Sequence, residues 1–197
     1  MFVILFNGPP RAGKDTAVAA YEARGRRFNI EKRKFAESVK TGTHAIFGLF
    51  NERGQPYPAA TFESVKNEPR DEFWGMSPRQ AYIWYSEEVM KPKFGSGIFG
   101  RIEAKNLVPG RIHLFSDSGF ATEAEEVAKV AGRKNMFLVR LYREGCTFDK
   151  DSRSYISVPG VDSVDLTNDG TDEFHDVVAG VVDTWLNTRI DDNGRAT

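Results

Sequence analysis

The sequence predicts a three-layer α/β/α fold built on a parallel sheet of about five strands. Three observations predict it. The apolar run "FVILF" at 2–6 ends at Asn7-Gly8, as a strand buried on both faces does. The pattern G-x-x-x-x-G-K follows at once, with Gly8 and Gly13-Lys14 in register, and leads into an alanine-rich run. From there on, segments alternate as βαβ, helical insertion, βαβ, loop, βα, which implies parallel strands with helices on both faces. Parallel strands place their ligand crevice at their carboxyl ends. Residues 8–16 occupy that end of the first strand, so the expectation sharpens to a P-loop NTPase architecture.

Each element has its own signal. Residues 2–6 form the first strand and 14–24 the first helix. "RFNIEKRKF" at 27–35 alternates weakly and reads as the second strand. Residues 37–49 read as a helix with Val39, His44, Ile46 and Phe47 near one face. "NERGQPYPA" at 51–59 holds two prolines and reads as a loop. Segments 60–67 and 78–92 read as helices; Ser77-Pro78 gives the second an N-cap and a first-turn proline. "RIHLF" at 111–115 is a short strand ending at Ser116-Asp117, and 121–132 is a helix closed by Gly132. A strand at 135–143, a polar loop at 144–160, a strand "SVDLT", a turn at Asn168-Asp169-Gly170 and an amphipathic helix at 171–188 complete the chain. One domain results: a core of 1–35 and 110–190 with an insertion at about 36–109.

Composition narrows the function. A length of 197 residues suits one domain with insertions, and 40% hydrophobic with 12% aromatic residues suffices for a core. The net charge of −1 removes a global electrostatic case for nucleic-acid or membrane partners. A single cysteine, Cys146, excludes an internal disulfide framework and fits a reducing, cytoplasmic setting. The start "MFVILF" lacks a basic n-region and is too short to span a bilayer. The polar tail "DDNGRAT" is expected to fray.

The loop "GPPRAGKDT" carries the chemistry. Gly8 permits a sharp departure from the strand, and Gly13 lets backbone N–H groups turn inward around phosphate oxygens. Arg11 and Ala12 lie within that cradle. Lys14 brings positive charge to the β- and γ-phosphates, and the following helix points its positive end at them. Asp15 stands where such loops carry a hydroxyl, and Thr16 comes one later. Asp15 either reaches Mg²⁺ through water or turns toward basic residues, while Thr16 offers its hydroxyl to a phosphate. Asp117, at the end of an apolar strand, either orders water on Mg²⁺ or caps the helix beginning near Phe120.

Five blocks in order resemble the phage deoxynucleoside monophosphate kinases of the P-loop nucleotide-kinase group; animal-type phosphomevalonate kinases are similar. The blocks are "GPPRAGKDT", "KFAESVK", "SPRQAYIWYSEEV", "LFSDSGFATEAEEV" and "LTNDGTDEFHDVV", spread over nearly the whole chain. Two departures stand out. The family usually carries an arginine two residues after the strand-ending aspartate, where this chain has Gly119. It often has a histidine before serine-glutamate in the polar loop, where this chain reads "DSRSYIS" and Arg153 is expected to replace the histidine's contribution.

The resemblance implies transfer of the γ-phosphoryl of ATP, with Mg²⁺, to a deoxynucleoside monophosphate. In such chemistry catalysis is mostly positioning and charge neutralisation. The insertion is then an acceptor-binding region, and Lys40, Lys66, Arg70 and Arg79 supply its cations. Arg79 is expected on the acceptor phosphate. Residues 144–160 become a lid over ATP, flanked or occupied by Arg143 and Arg153. Phe35 and Tyr82 are the candidate base-stacking aromatics; Glu123 either pairs with an arginine of the site or stabilises its own helix. Partners are small molecules, with a homodimer open. Two rivals stay open: another small-molecule P-loop kinase, phosphomevalonate-like, and an NTPase without an acceptor.

Overall fold

The computed structural model describes residues 1–24, 29–149 and 151–190. Among them, five parallel strands form one sheet in the order β2-β3-β1-β4-β5. The strands are β1 (Phe2–Asn7), β2 (Ile30–Arg33), β3 (Ile112–Ser118), β4 (Met136–Tyr142) and β5 (Asp162–Thr167). The helices are α1 (Lys14–Ala23), α2 (Phe35–Ile46), α3 (Pro78–Trp84), α4 (Lys91–Phe94), α5 (Ile98–Lys105), α6 (Ala121–Ala131) and α7 (Glu173–Asn187).

The unbroken apolar run of β1 is explained by its central place. Phe2, Ile4 and Phe6 face one core with α1 and α7, through Ala17, Val18, Phe174 and Val182. Val3 and Leu5 face the other, with Ala124, Val127 and Ala128 of α6 and Phe35 of α2. All of β1 is buried, so burial on both faces leaves no polar alternation to read. The edge strands β2 and β5 are only partly covered, which accounts for their weaker patterns.

Several elements differ from the sequence expectation. Segment 60–67 forms successive turns, not a helix, and Phe62 is buried beside Phe47, Phe73 and Ala81 in a separate aromatic core of the insertion. Tertiary packing overrides helix propensity there. The helix expected over 78–92 is real but divided: α3, with Ser77 and Gln80 in a reciprocal capping box, passes into a π-helical segment Tyr85–Met90 and then α4. Helix α5 was not expected at all. The second strand is confined to Ile30–Arg33, and positions 27–28 of its expected span lie outside the described residues, as does the tail 191–197. Strand β3 runs past the expected end at 115 to Ser118.

Candidate active site

At the carboxyl end of β1 the chain turns sharply under β4. A Cβ on Gly8 would lie 2.6 Å from the Leu141 carbonyl oxygen, so only glycine fits. Arg11 and Gly13 both adopt left-handed backbone, at φ 67° and 97°, which curls the loop around its own centre. The ammonium of Lys14 lies inside this curl and donates to the carbonyls of Gly8 and Pro9, each at 2.7 Å. Burial, then the nearby charge of Arg153, brings Lys14 down to about 8. A buried ammonium held only by carbonyls is a ready partner for an anion.

Asn168 fastens the loop from the far side. Its Nδ2 donates to Ala12 O at 2.9 Å, and its Oδ1 accepts from Gly170 N at 2.8 Å. The same Nδ2 stands 2.3 Å from where a Gly13 Cβ would sit. The Asn-Asp-Gly turn after β5 therefore grips the glycine-rich loop, a role that turn chemistry alone does not disclose. Arg143 reaches the same region, donating to Arg11 O at 3.4 Å.

Both aspartates are engaged. Asp15 accepts from Ser116 Oγ at 2.8 Å and pairs with Lys34 Nζ at 2.6 Å, so it is turned toward a basic residue. Thr16 is exposed on the first turn of α1. Asp117 accepts from the N–H groups of Phe35 and Ala36, both at 2.9 Å. It thus caps α2, and α6 starts at Phe120 without a side-chain cap, which corrects the expected capping partner. Burial pushes the Asp117 carboxyl up, against the pull of those two N–H donors.

A cavity of about 340 Å³ opens beside the loop, between the insertion and the end of the sheet. It gathers most of the candidate residues outside the glycine-rich loop: Phe35, Lys40, Arg79, Tyr82, Asp117, Glu123 and Arg153. Lys66 and Arg70 do not line it. Lys66 pairs with Glu63, and Arg70 pairs with Glu72 on the surface at 3.0 Å. Lys40 also reaches Glu63, at 2.7 Å; burial raises that carboxyl, but the two lysines outweigh it and hold it at about 2. Arg79 Nε donates to Asn67 at 2.9 Å, and the side chain is exposed.

The aromatic walls are fixed. Phe35 stacks on Phe115 with centroids 4.6 Å apart and is buried at the cavity wall. The hydroxyl of Tyr82 lies 2.9 Å from His44 Nε2, and His44 Nδ1 lies 2.8 Å from Tyr57 O. Because a carbonyl only accepts, Nδ1 carries the proton and Nε2 accepts from Tyr82. Burial lowers the His44 pKa, which fits that neutral form. His44 therefore fixes the ring that lines the cavity.

Arg153 enters from the polar loop. Its side chain lies flat on Gly119: a Cβ at 119 would come within 2.5–2.7 Å of Arg153 Cβ, Cγ and Cδ. Asp151 holds the guanidinium at 2.6 Å. The backbone there is tied to the core. Ser154 N donates to Gly119 O at 3.3 Å, and Asn7 Nδ2 donates to Ser154 O at 2.9 Å. Ile156 N donates to Asn7 Oδ1 at 3.0 Å, and Ile156 and Val158 are buried. The second half of the expected lid is thus packed into the core; Lys150 of that loop lies outside the described residues.

Among the described residues no cluster of three or more His, Cys, Asp or Glu side chains could hold a metal ion, and no helix is long and apolar enough to cross a membrane. The chain matches no family model, and none of the curated proteins matches it. Among solved structures it is similar to an unliganded sugar kinase from Janibacter sp. HTCC2649, at 11% identity over 95% of both chains with a TM-score of 0.43. At that score the likeness carries no argument about activity or substrate.

Proposed function

We propose that the chain transfers the γ-phosphoryl of ATP to a deoxynucleoside monophosphate, giving the diphosphate and ADP. One observation carries the reading: the phosphate loop and a separate cationic, aromatic-walled cavity meet at Arg153, whose charge acts on Lys14 and whose side chain lines the cavity. Two anions brought together need this arrangement, since their mutual repulsion must be neutralised from both sides.

In this reading the backbone of Gly8, Arg11, Ala12 and Gly13 cradles the triphosphate, and Lys14 leaves its carbonyls for the β- and γ-phosphates. Thr16 offers a hydroxyl to a phosphate oxygen, and Arg143 approaches from the side of the Asn168 turn. Arg79 takes the acceptor phosphate with Lys40 in support, while Lys66 and Arg70, more distant, add only to the field. Tyr82 and Phe35, both on the cavity wall, receive the base. Arg153 neutralises charge where donor and acceptor meet.

Mg²⁺ belongs to this chemistry, where it neutralises phosphate charge. The donor set fits indirect contact: Asp15 and Asp117 already hold hydrogen bonds, so the contact proposed for them runs through water. The direct test is an ATP-coupled assay across deoxy- and ribonucleoside monophosphates and phosphomevalonate. Turnover with deoxynucleoside monophosphates supports the reading. Turnover with phosphomevalonate alone, or acceptor-independent hydrolysis, overturns it.

A further inference from the structure

The first turn of α6 is set against α5 by unusually close packing. A Cβ on Gly100 would lie 2.3 Å from the Glu123 carbonyl oxygen and 2.6 Å from its Cα. The backbone of Glu123 is therefore held by contact with a glycine of the neighbouring helix, and its side chain is left to line the cavity. Glu123 is only 4% exposed. Its carboxyl makes no hydrogen bond or ion pair with any described residue, although Lys91 and Arg153 are near enough to feel its charge. Lys91 is engaged by Glu87 at 2.6 Å, and Arg153 by Asp151.

A buried, unpartnered carboxyl is costly, so a fold keeps one where a ligand completes it. Burial, and then the charge of Asp117, pushes Glu123 up to about 8. Near neutral pH it is therefore largely uncharged and poorly suited to hold a cation. It does not belong with the phosphate-binding set of Lys14, Lys40 and Arg79. Beyond Asp117, the carboxylates of Glu87 and Glu103 also face it.

We propose that Glu123 is the specificity carboxyl of the acceptor pocket, hydrogen-bonded to an O–H or N–H group on the uncharged body of a phosphorylated acceptor. This rests on the kinase reading above and narrows it. The acceptor carries phosphate at one end and hydrogen-bond donors at the other, as a nucleotide does.

The test compares wild type with Glu123→Gln and Glu123→Leu. KM and kcat are measured for the four deoxynucleoside monophosphates, a 2′,3′-dideoxynucleotide and base-free 2-deoxyribose 5-phosphate. Glu123→Leu is expected to raise the acceptor KM by about tenfold or more for nucleotides carrying the recognised donor, and to leave KM unchanged for the probe lacking it. Glu123→Gln, which keeps hydrogen-bonding capacity, is expected to fall between. Both variants should melt no lower than wild type at pH 8, because an unsatisfied carboxyl has been removed. An unchanged KM for every acceptor, an equal rise for all of them, or a fall in melting temperature with uniform loss of activity overturns the assignment. Wild-type turnover with no nucleotide overturns the kinase reading as well, which separates the two failures.

Discussion

The side chain of Arg153 lies across Gly119, with its Cβ, Cγ and Cδ occupying the space that any larger residue at 119 would need. The family that the sequence resembles usually has an arginine at the position of Gly119, and here an arginine reaches the same place from another segment. Gly119→Ala should displace the Arg153 guanidinium from the cavity. The expected outcome is a fall in kcat of about tenfold or more with a small change in melting temperature. Wild-type turnover in this variant would remove Arg153 from the transfer step.

A second expectation concerns Lys14. Lys14→Ala should remain folded, since Asn168 still ties the loop through Ala12 O, and should lose turnover by orders of magnitude. Near-normal kcat would remove the phosphate-loop assignment.

The same lysine gives a pH signature. Its value in the free protein is about 8, lowered first by burial. A bound triphosphate favours the charged form and raises the value. Binding near pH 8 should therefore take up about half a proton, and the uptake should vanish toward pH 6, where the free lysine is already charged. Calorimetry in buffers of different ionisation enthalpy reads this directly. Lys14→Ala should show none of it, and uptake in that variant equal to wild type would place the titrating group elsewhere.

The grip of Asn168 on the loop predicts a third variant. Asn168→Ala leaves Gly170 N and Ala12 O without their partners, at a cost of about 1–3 kcal/mol in stability. Because the loosened element is the phosphate loop, the KM for ATP should rise while that for the acceptor stays near wild type. A rise confined to the acceptor would contradict the placement.

Arg79 should behave in the opposite way. A guanidinium presents paired N–H donors to phosphate oxygens, which an ammonium cannot reproduce. Arg79→Lys should raise the acceptor KM and lower kcat with little effect on the KM for ATP. Steady-state kinetics with each substrate varied in turn decides it.

What the sequence disclosed was local and what it hid was tertiary. The run 2–6, Gly8, Gly13 and Lys14 lie within one short stretch, and their spacing alone placed a glycine-rich loop at a strand end. Helix α5 had no counterpart in the sequence reading; two glycines, Gly97 and Gly100, lie at its start, and Gly100 lets two helices touch. The turns at 60–67 read as a helix because nothing local showed that Phe62 is drawn into a core with Phe47 and Phe73. Among the cations, Lys40 and Arg79 line the cavity while Lys66 and Arg70 do not; both lysines pair with Glu63, so chain path and not the ion pair separates them. Asn7 and His44 act through backbone and hydroxyl partners far along the chain, at Ser154, Ile156 and Tyr82.

Phosphoryl transfer from the Lys14 loop to a molecule in the Arg79 cavity is the central claim. Its most direct measurement is phosphorus NMR of wild-type protein with ATP, Mg²⁺ and a deoxynucleoside monophosphate. Transfer predicts that diphosphate resonances of the acceptor grow in step with ADP, with little inorganic phosphate, and that Lys14→Ala abolishes them. Inorganic phosphate appearing in step with ADP, at a rate indifferent to the monophosphate, would contradict it.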